Sequence, residues 1–231
     1  MKVLLVQCYT TDKPWGDMMV QSFADNIQRT MPSAQMDIVK AEAGEVLPDP
    51  SPYDLVIMSG GTFNLVDDKP LPWVESAIDY VRAIAKKDVG PKLLGLCWGH
   101  QVSQMALGAT WRRSDIRPQI GVEKVVLLPE GKSFFAGHDE LNLHKFHRRA
   151  VETCRPDFTP LAKDHEILMA TNGRILSFQG HPELHFAMAQ DLVQNAPTYK
   201  DLETGFAIDP IDAKHDGEAV WGRIMEWVGK P

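Results

Sequence analysis

Cysteine is scarce in this chain: three residues in 231, an odd number that argues against a disulfide framework and suits a reducing compartment where a free thiolate survives. The expected location is the cytoplasm. No apolar stretch approaches the roughly 18 residues needed to span a bilayer, so no membrane is expected as a partner. The opening Lys2-Val3-Leu4-Leu5-Val6-Gln7 has an apolar run of only about five residues, short of the seven or so of a signal-peptide core, and reads as a first strand. Basic clusters interleaved with aromatics are missing, and the formal net charge is -7, which argues against a nucleic-acid surface and leaves a small molecule as the expected partner. There is no internal repeat and no low-complexity linker. The hydrophobic content of 44% is ordinary for a globular protein, and the length allows one sizeable core.

Against these absences, Gly95-Leu96-Cys97-Trp98-Gly99-His100-Gln101 stands out. The apolar entry Lys92-Leu93-Leu94 predicts a strand that delivers Cys97 onto a sharp turn opening a helix near Gly99, the arrangement of a nucleophile elbow. Gly95 and Gly99 flank the cysteine and supply the room that a strained backbone and an approaching substrate require. Helix N–H groups and the positive end of the helix dipole then face the sulfur and favour its thiolate.

A second constellation is Ser177-Phe178-Gln179-Gly180-His181-Pro182-Glu183. An apolar strand over residues 174–178 ends in glycine and delivers a histidine, with a carboxylate two residues on. Cys97, His181 and Glu183 therefore supply the parts of a thiol triad: nucleophile, proton carrier, and a carboxylate that fixes the imidazole tautomer. A base and its orienter usually come from separate segments. Here Pro182 stiffens the turn so that both side chains can converge.

Periodicity along the rest of the chain alternates strand and helix. Residues 3–7, 36–39, 53–58 and 92–96 read as buried strands. Residues 15–31 and 72–87 read as helices, with Met18, Met19, Phe23 and Ile27 recurring in the first and Pro72 placed at the start of the second. Such alternation predicts an α/β three-layer sandwich with a mostly parallel central sheet and a site outside the carboxyl ends of the strands. Residues 121–128, 141–151 and 167–178 read as shorter strands of an antiparallel extension, and helix returns over 185–194. The tail carries the turn pairs Ala196-Pro197 and Asp209-Pro210, then an amphipathic helix over 218–228 expected to dock on the domain.

The elbow, the Gln-Gly-His-Pro-Glu element and the early Ser59-Gly60-Gly61 after an apolar strand occur in the order found in the class I glutamine amidotransferases. The chain resembles a free-standing member of that family over roughly residues 1–192. The resemblance implies a flavodoxin-like topology, a domain over 1–194, and an extension over 195–231 whose terminal helix packs on the same domain. It implies attack on a γ-glutamyl amide, a γ-glutamyl thioester on Cys97, and release of ammonia or an amine, with no cofactor or metal needed. By the same resemblance the backbone N–H groups of Gly61 and Trp98 form the oxyanion hole and Gln101 helps hold the substrate; Gly60, His147 and Arg149 are the further candidate substrate-binding residues. No Gly-x-x-x-x-Gly-Lys-Ser/Thr loop is present, so a synthetase receiving ammonia has to be another chain or absent. Some free-standing relatives instead act as γ-glutamyl peptidases on glutathione or its conjugates, and the thioester chemistry is the same. A catalytically silent regulatory or binding subunit is a third reading, disfavoured by retention of Cys97, His181 and Glu183.

Other residues have plainer readings. Cys8 and Cys154 read as small hydrophobes outside any elbow. His181, Glu183 and His185 alternate and His144 and His147 lie three apart, yet the triad already explains the alternation and no cysteines cluster, so no metal site is expected. His100 reads as a helix-start residue beside the pocket. Arg149 stands where many free-standing relatives carry an aspartate. Two readings follow: a solvated loop charge, or a fixed cation that selects a carboxylate rather than an ammonium.

Overall fold

The computed structural model describes residues 1–65, 69–87, 89–113, 119–195 and 210–230. Strands β1 (Lys2–Cys8), β2 (Gln35–Lys40), β3 (Leu55–Gly61) and β4 (Lys92–Leu96) alternate with helices α1 (Pro14–Thr30) and α2 (Pro72–Ala85), and β4 runs into α3 (Trp98–Ala106). There follow β5 (Trp111–Arg113), β6 (Gln119–Val126), α4 (Pro129–Phe134), β7 (Glu140–His147), β8 (Arg149–Val151), β9 (Phe158–Pro160), β10 (Ile167–Ala170), β11 (Ile175–Phe178), α5 (Phe186–Asn195) and α6 (Gly217–Gly229).

The central sheet runs β2-β1-β3-β4-β11-β10-β9. Its first five strands are mutually parallel, and β10 and β9 add an antiparallel edge. Period-2 alternation divides each central strand between two cores, as burial on both faces demands. Leu5, Ile57, Leu94, Leu96 and Phe178 face the side covered by α1, α5 and α6. Val6, Met58 and Leu93 face the side covered by α2 and α3. The three-layer α/β sandwich expected from the sequence is the observed architecture.

Two expectations need correction. Residues 167–178 are not an extension: β11 lies inside the central sheet, parallel to β4 in the register Leu96↔Phe178, and only β10 is antiparallel. A short apolar strand has no periodicity that distinguishes the two pairings; the partner decides. Residues 141–151 break at Arg148 into β7, which pairs β6, and β8, which pairs β5, in two small separate sheets. The short elements β5, β9 and α4 carried no sequence signal. Ala196-Pro197 and Asp209 lie outside the described residues.

Helix α6 buries Val220, Trp221, Ile224, Met225 and Trp227, and the Trp221 ring meets Phe23 of α1 edge-on at 5.9 Å. Among the described residues no helix is long and apolar enough to cross a membrane.

Candidate active site

The carboxyl ends of β3, β4 and β11 lie side by side, because β3 and β11 both pair with β4. Each ends in one of the segments singled out above: Gly60-Gly61, Cys97 and His181. Cys97 is the single residue between β4 and α3, at φ 50° and ψ -99°. A side chain held in such a conformation costs about 1–3 kcal/mol and persists only where the surroundings enforce it. Its N–H donates to the Phe178 carbonyl at 2.8 Å, and its own carbonyl accepts from the Gln101 N–H at 3.0 Å, so the sheet holds one side and the helix the other. The flanking glycines are obligatory. A Cβ on Gly95 would lie 2.6 Å from the Gly99 carbonyl oxygen, and one on Gly99 would collide with the Met58 carbonyl.

His181 sits in a tight turn closed by the Leu184 N–H on the His181 carbonyl at 3.3 Å, with Pro182 and Glu183 as the central residues. That turn is why a spacing of two works: His181 Nδ1 and Glu183 Oε1 are 2.7 Å apart, both side chains buried. The turn is held from two sides. The His181 N–H donates to the His144 carbonyl of β7 at 2.8 Å, and the Ser22 hydroxyl of α1 donates to the Glu183 carbonyl at 2.6 Å. Burial works against a charged ring at His181, but the Glu183 carboxylate and the adjacent Cys97 overcome it and raise the imidazole from 6.5 to about 10. With Nδ1 committed to Glu183, Nε2 is the ring nitrogen left for the sulfur. Gly60 abuts both groups: a Cβ there would lie 3.0 Å from His181 Cε1 and 3.8 Å from Cys97 Cβ.

Gly61 lies against the elbow: a Cβ there would be 3.2 Å from Trp98 Cγ and would strike the Cys8 carbonyl. The Trp98 indole N–H donates to the Phe63 carbonyl at 3.1 Å, and Trp73 packs between Trp98 and Phe63 with ring centroids at 5.0 and 5.9 Å. The Gly60-Gly61 turn is thereby fixed to the residue that follows Cys97. Gln101 Nε2 donates to the Arg149 carbonyl at 3.1 Å and to Gln179 Oε1 at 3.2 Å, while Gln179 Nε2 lies 3.8 Å from the Cys97 sulfur. His147 Nδ1 donates to the Arg149 carbonyl at 3.0 Å, and burial pushes its imidazole down to about 3.

Two cavities meet at the sulfur. One of about 50 Å³ is lined by Gln101, His147, Arg148 and Arg149; the other, of about 350 Å³, by Tyr9, Trp15, Met19, Leu192 and His181. Cys97, Gly61, Thr62 and Phe146 belong to both. Every residue proposed from sequence as part of the site is thus in one place.

Four points were missed or misplaced. Gln179 was visible in its motif but had no role assigned. Phe146, whose carbonyl faces the Cys97 sulfur at 3.8 Å, is a hydrophobe in a histidine-rich strand and carries no signal of its own. The wall formed by Tyr9, Trp15, Met19 and Leu192 comes from distant segments. His100 is not beside the pocket: it is fully buried, paired with the Ser177 hydroxyl at 2.8 Å, and pushed down to about 3 by burial. Cys8 is a buried thiol raised by desolvation, and Cys154 is half-buried. Among the described residues no group of three or more His, Cys, Asp or Glu side chains could hold a metal ion.

A strained cysteine between a parallel strand and a helix thus lies beside a histidine–carboxylate pair at the end of the adjacent strand of an α/β protein. Residues 17–195 match the sequence profile of Glutamine amidotransferase class-I, and the chain belongs to that family. It is 34% identical over 227 residues, covering 98% of this chain and 94% of the relative, to the glutamine amidotransferase-like protein chry6 of Gibberella zeae. It is 23% identical over 163 residues to gamma-glutamyl peptidase 4 of Arabidopsis thaliana, covering 67% of this chain and 63% of that protein. Among solved structures, a glutamine amidotransferase from Thermotoga maritima superposes with a TM-score of 0.78 at 20% identity, covering 100% of this chain and 99% of that one, which is a likeness of fold.

Proposed function

We propose that the protein hydrolyses a γ-glutamyl amide bond through a γ-glutamyl thioester on Cys97. The observation that carries this is Cys97 held at φ 50° on the elbow beside a His181 ring whose Nδ1 is bound to buried Glu183. In this reading the sulfur attacks the γ-carbonyl carbon, and the N–H groups of Gly61 and Trp98 receive the oxyanion. Such a donor is commonly worth about 3 kcal/mol. As the C–N bond breaks, His181 passes its proton to the departing nitrogen. Water, deprotonated by the same ring, then cleaves the thioester and frees glutamate.

Gly60 leaves the space between base and nucleophile in which the carbonyl sits. Gln101, His147 and Arg149 surround the smaller cavity and receive the amino-acid end of the substrate, with Arg149 the cation for its carboxylate. Release of ammonia to a synthetase on a separate chain is one use of this chemistry. Cleavage of a larger γ-glutamyl amide, as in a γ-glutamyl peptidase, is the second, and the larger cavity beside the sulfur favours it.

The test is glutamate release from glutamine, glutathione and a glutathione conjugate, with Cys97→Ala as control. Release that depends on Cys97 from at least one compound is expected; none from any would overturn the proposal. Arg149→Asp is expected to change the order of preference among them, measured as kcat/KM ratios, and an unchanged order removes Arg149 from the substrate site.

A further inference from the structure

Resting on the hydrolytic reading above, we infer that the protein has a leaving-group subsite for an apolar, aromatic-sized amine, so that its substrate is the γ-glutamyl amide of such an amine rather than glutamine. The two cavities share Cys97, Gly61 and Phe146, which places the reacting carbonyl at their junction with one half of the substrate on each side. The γ-glutamyl half carries an ammonium and a carboxylate. Its carboxylate suits the small cavity, whose walls include Gln101, His147 and two arginines. The amide nitrogen and its substituent then point the other way, into about 350 Å³. Ammonia occupies about the volume of a water molecule, roughly 30 Å³, so a site evolved for glutamine alone would leave nearly all of that space unfilled.

The walls of the larger cavity state the chemistry of the substituent. Tyr9, Trp15, Met19, Phe146 and Leu192 present rings, a thioether and a branched alkyl group, which reward burial of apolar area and offer ring-edge contacts to an aromatic group. Tyr9 and Trp15 are themselves packed at 4.9 Å. The Tyr9 hydroxyl is committed to the Gly16 carbonyl at 2.9 Å, leaving its ring face as the contact. The wall is held from two sides: a Cβ at Gly16 would strike Thr11, so glycine lets the loop after β1 fold down on α1, and the Trp15 backbone N–H donates to the Asp191 carboxylate of α5 at 3.0 Å. Polar groups sit at the rim, where the Thr10 hydroxyl donates to Glu42 at 2.9 Å and Lys13 pairs with Asp12. In the reaction the C–N bond breaks with the His181 proton going to the amine, one water is consumed, and glutamate and the free amine leave.

The experiment compares kcat/KM for glutamine, glutathione and γ-glutamyl-2-phenylethylamide in the wild type and in Met19→Gln, with ligand binding to Cys97→Ala measured by calorimetry. The phenylethylamide is expected to exceed glutamine by about tenfold or more, the worth of a small apolar contact in a fitted pocket. That ratio is expected to fall in Met19→Gln. Glutamate release from glutamine or glutathione at an equal or higher kcat/KM than from the phenylethylamide overturns the subsite and leaves the hydrolytic reading intact. If no compound is turned over, the hydrolytic reading falls, and binding decides the subsite. Tighter binding of the phenylethylamide than of glutamine to Cys97→Ala, weakened when Met19→Gln is added, upholds it; equal or absent binding overturns it.

Discussion

Replacing Glu183 by Gln keeps the shape of the turn and removes one buried negative charge 2.7 Å from His181 Nδ1. The ring is held at about 10 instead of 6.5. At about 1.4 kcal/mol for each tenfold in proton affinity, that displacement is about 5 kcal/mol in favour of the imidazolium. Glu183 is the larger of the two groups that oppose burial, so Glu183→Gln leaves only Cys97 against it and is expected to lower the ring's proton affinity. Two consequences are measurable. A histidine whose folded value exceeds its unfolded one contributes stability that is present in full below about pH 6.5 and is lost as the pH rises through about 10. Urea denaturation should therefore find the wild type's advantage over Glu183→Gln largest near pH 6 and shrinking between pH 6.5 and 10. On the substrate that the wild type cleaves, kcat/KM should fall by about 10²–10⁴-fold near neutral pH, with its alkaline limb moved to lower pH. A stability gap that does not change with pH, together with an unmoved alkaline limb, would refute the proposed coupling of Glu183 to His181.

Cys97→Ala and Cys97→Gly should both be inactive, but the glycine variant should be the more stable by about 1 kcal/mol in urea titration, because only glycine adopts φ 50°, ψ -99° without strain. Equal stabilities would show that the elbow is relaxed. Gly99→Ala forces a Cβ onto the Met58 carbonyl and is expected to cost about 3 kcal/mol or more, read as a lowered denaturation midpoint, while a midpoint close to wild type would contradict the packing described. Trp221→Ala empties a fully buried site against Phe23 and should cost about 3–5 kcal/mol in a single transition; a separate early transition would detach α6 from the core.

Much of the candidate site was legible because its residues lie within short segments. An elbow is a run of strand, small residue, nucleophile and helix, and its glycines are dictated by backbone collisions only a few residues apart in sequence or across one strand. His181 and Glu183 were legible as a pair because Pro182 and the closing hydrogen bond bring them together locally. The parallel sheet followed from continuous apolar strands alternating with amphipathic helices. What failed to show is what depends on distant partners. The place of β11 in the central sheet is set by β4, some eighty residues earlier, and nothing within Ile175–Phe178 says which neighbour it will have. The burial of His100 is not legible locally, because its partner, Ser177, is equally remote.

By itself, then, the sequence determined the alternating α/β architecture, the strained cysteine and the histidine–carboxylate turn, since each is governed by local sterics and periodicity. Only the tertiary structure decided that these strand ends are adjacent, and that Gln179 and the Phe146 carbonyl face the sulfur. It alone decided that Tyr9, Trp15, Met19 and Leu192, drawn from the two ends of the chain, close an apolar cavity over it. Burial of apolar area is non-directional, and which surfaces meet is fixed by the packing of whole elements rather than by any segment read alone.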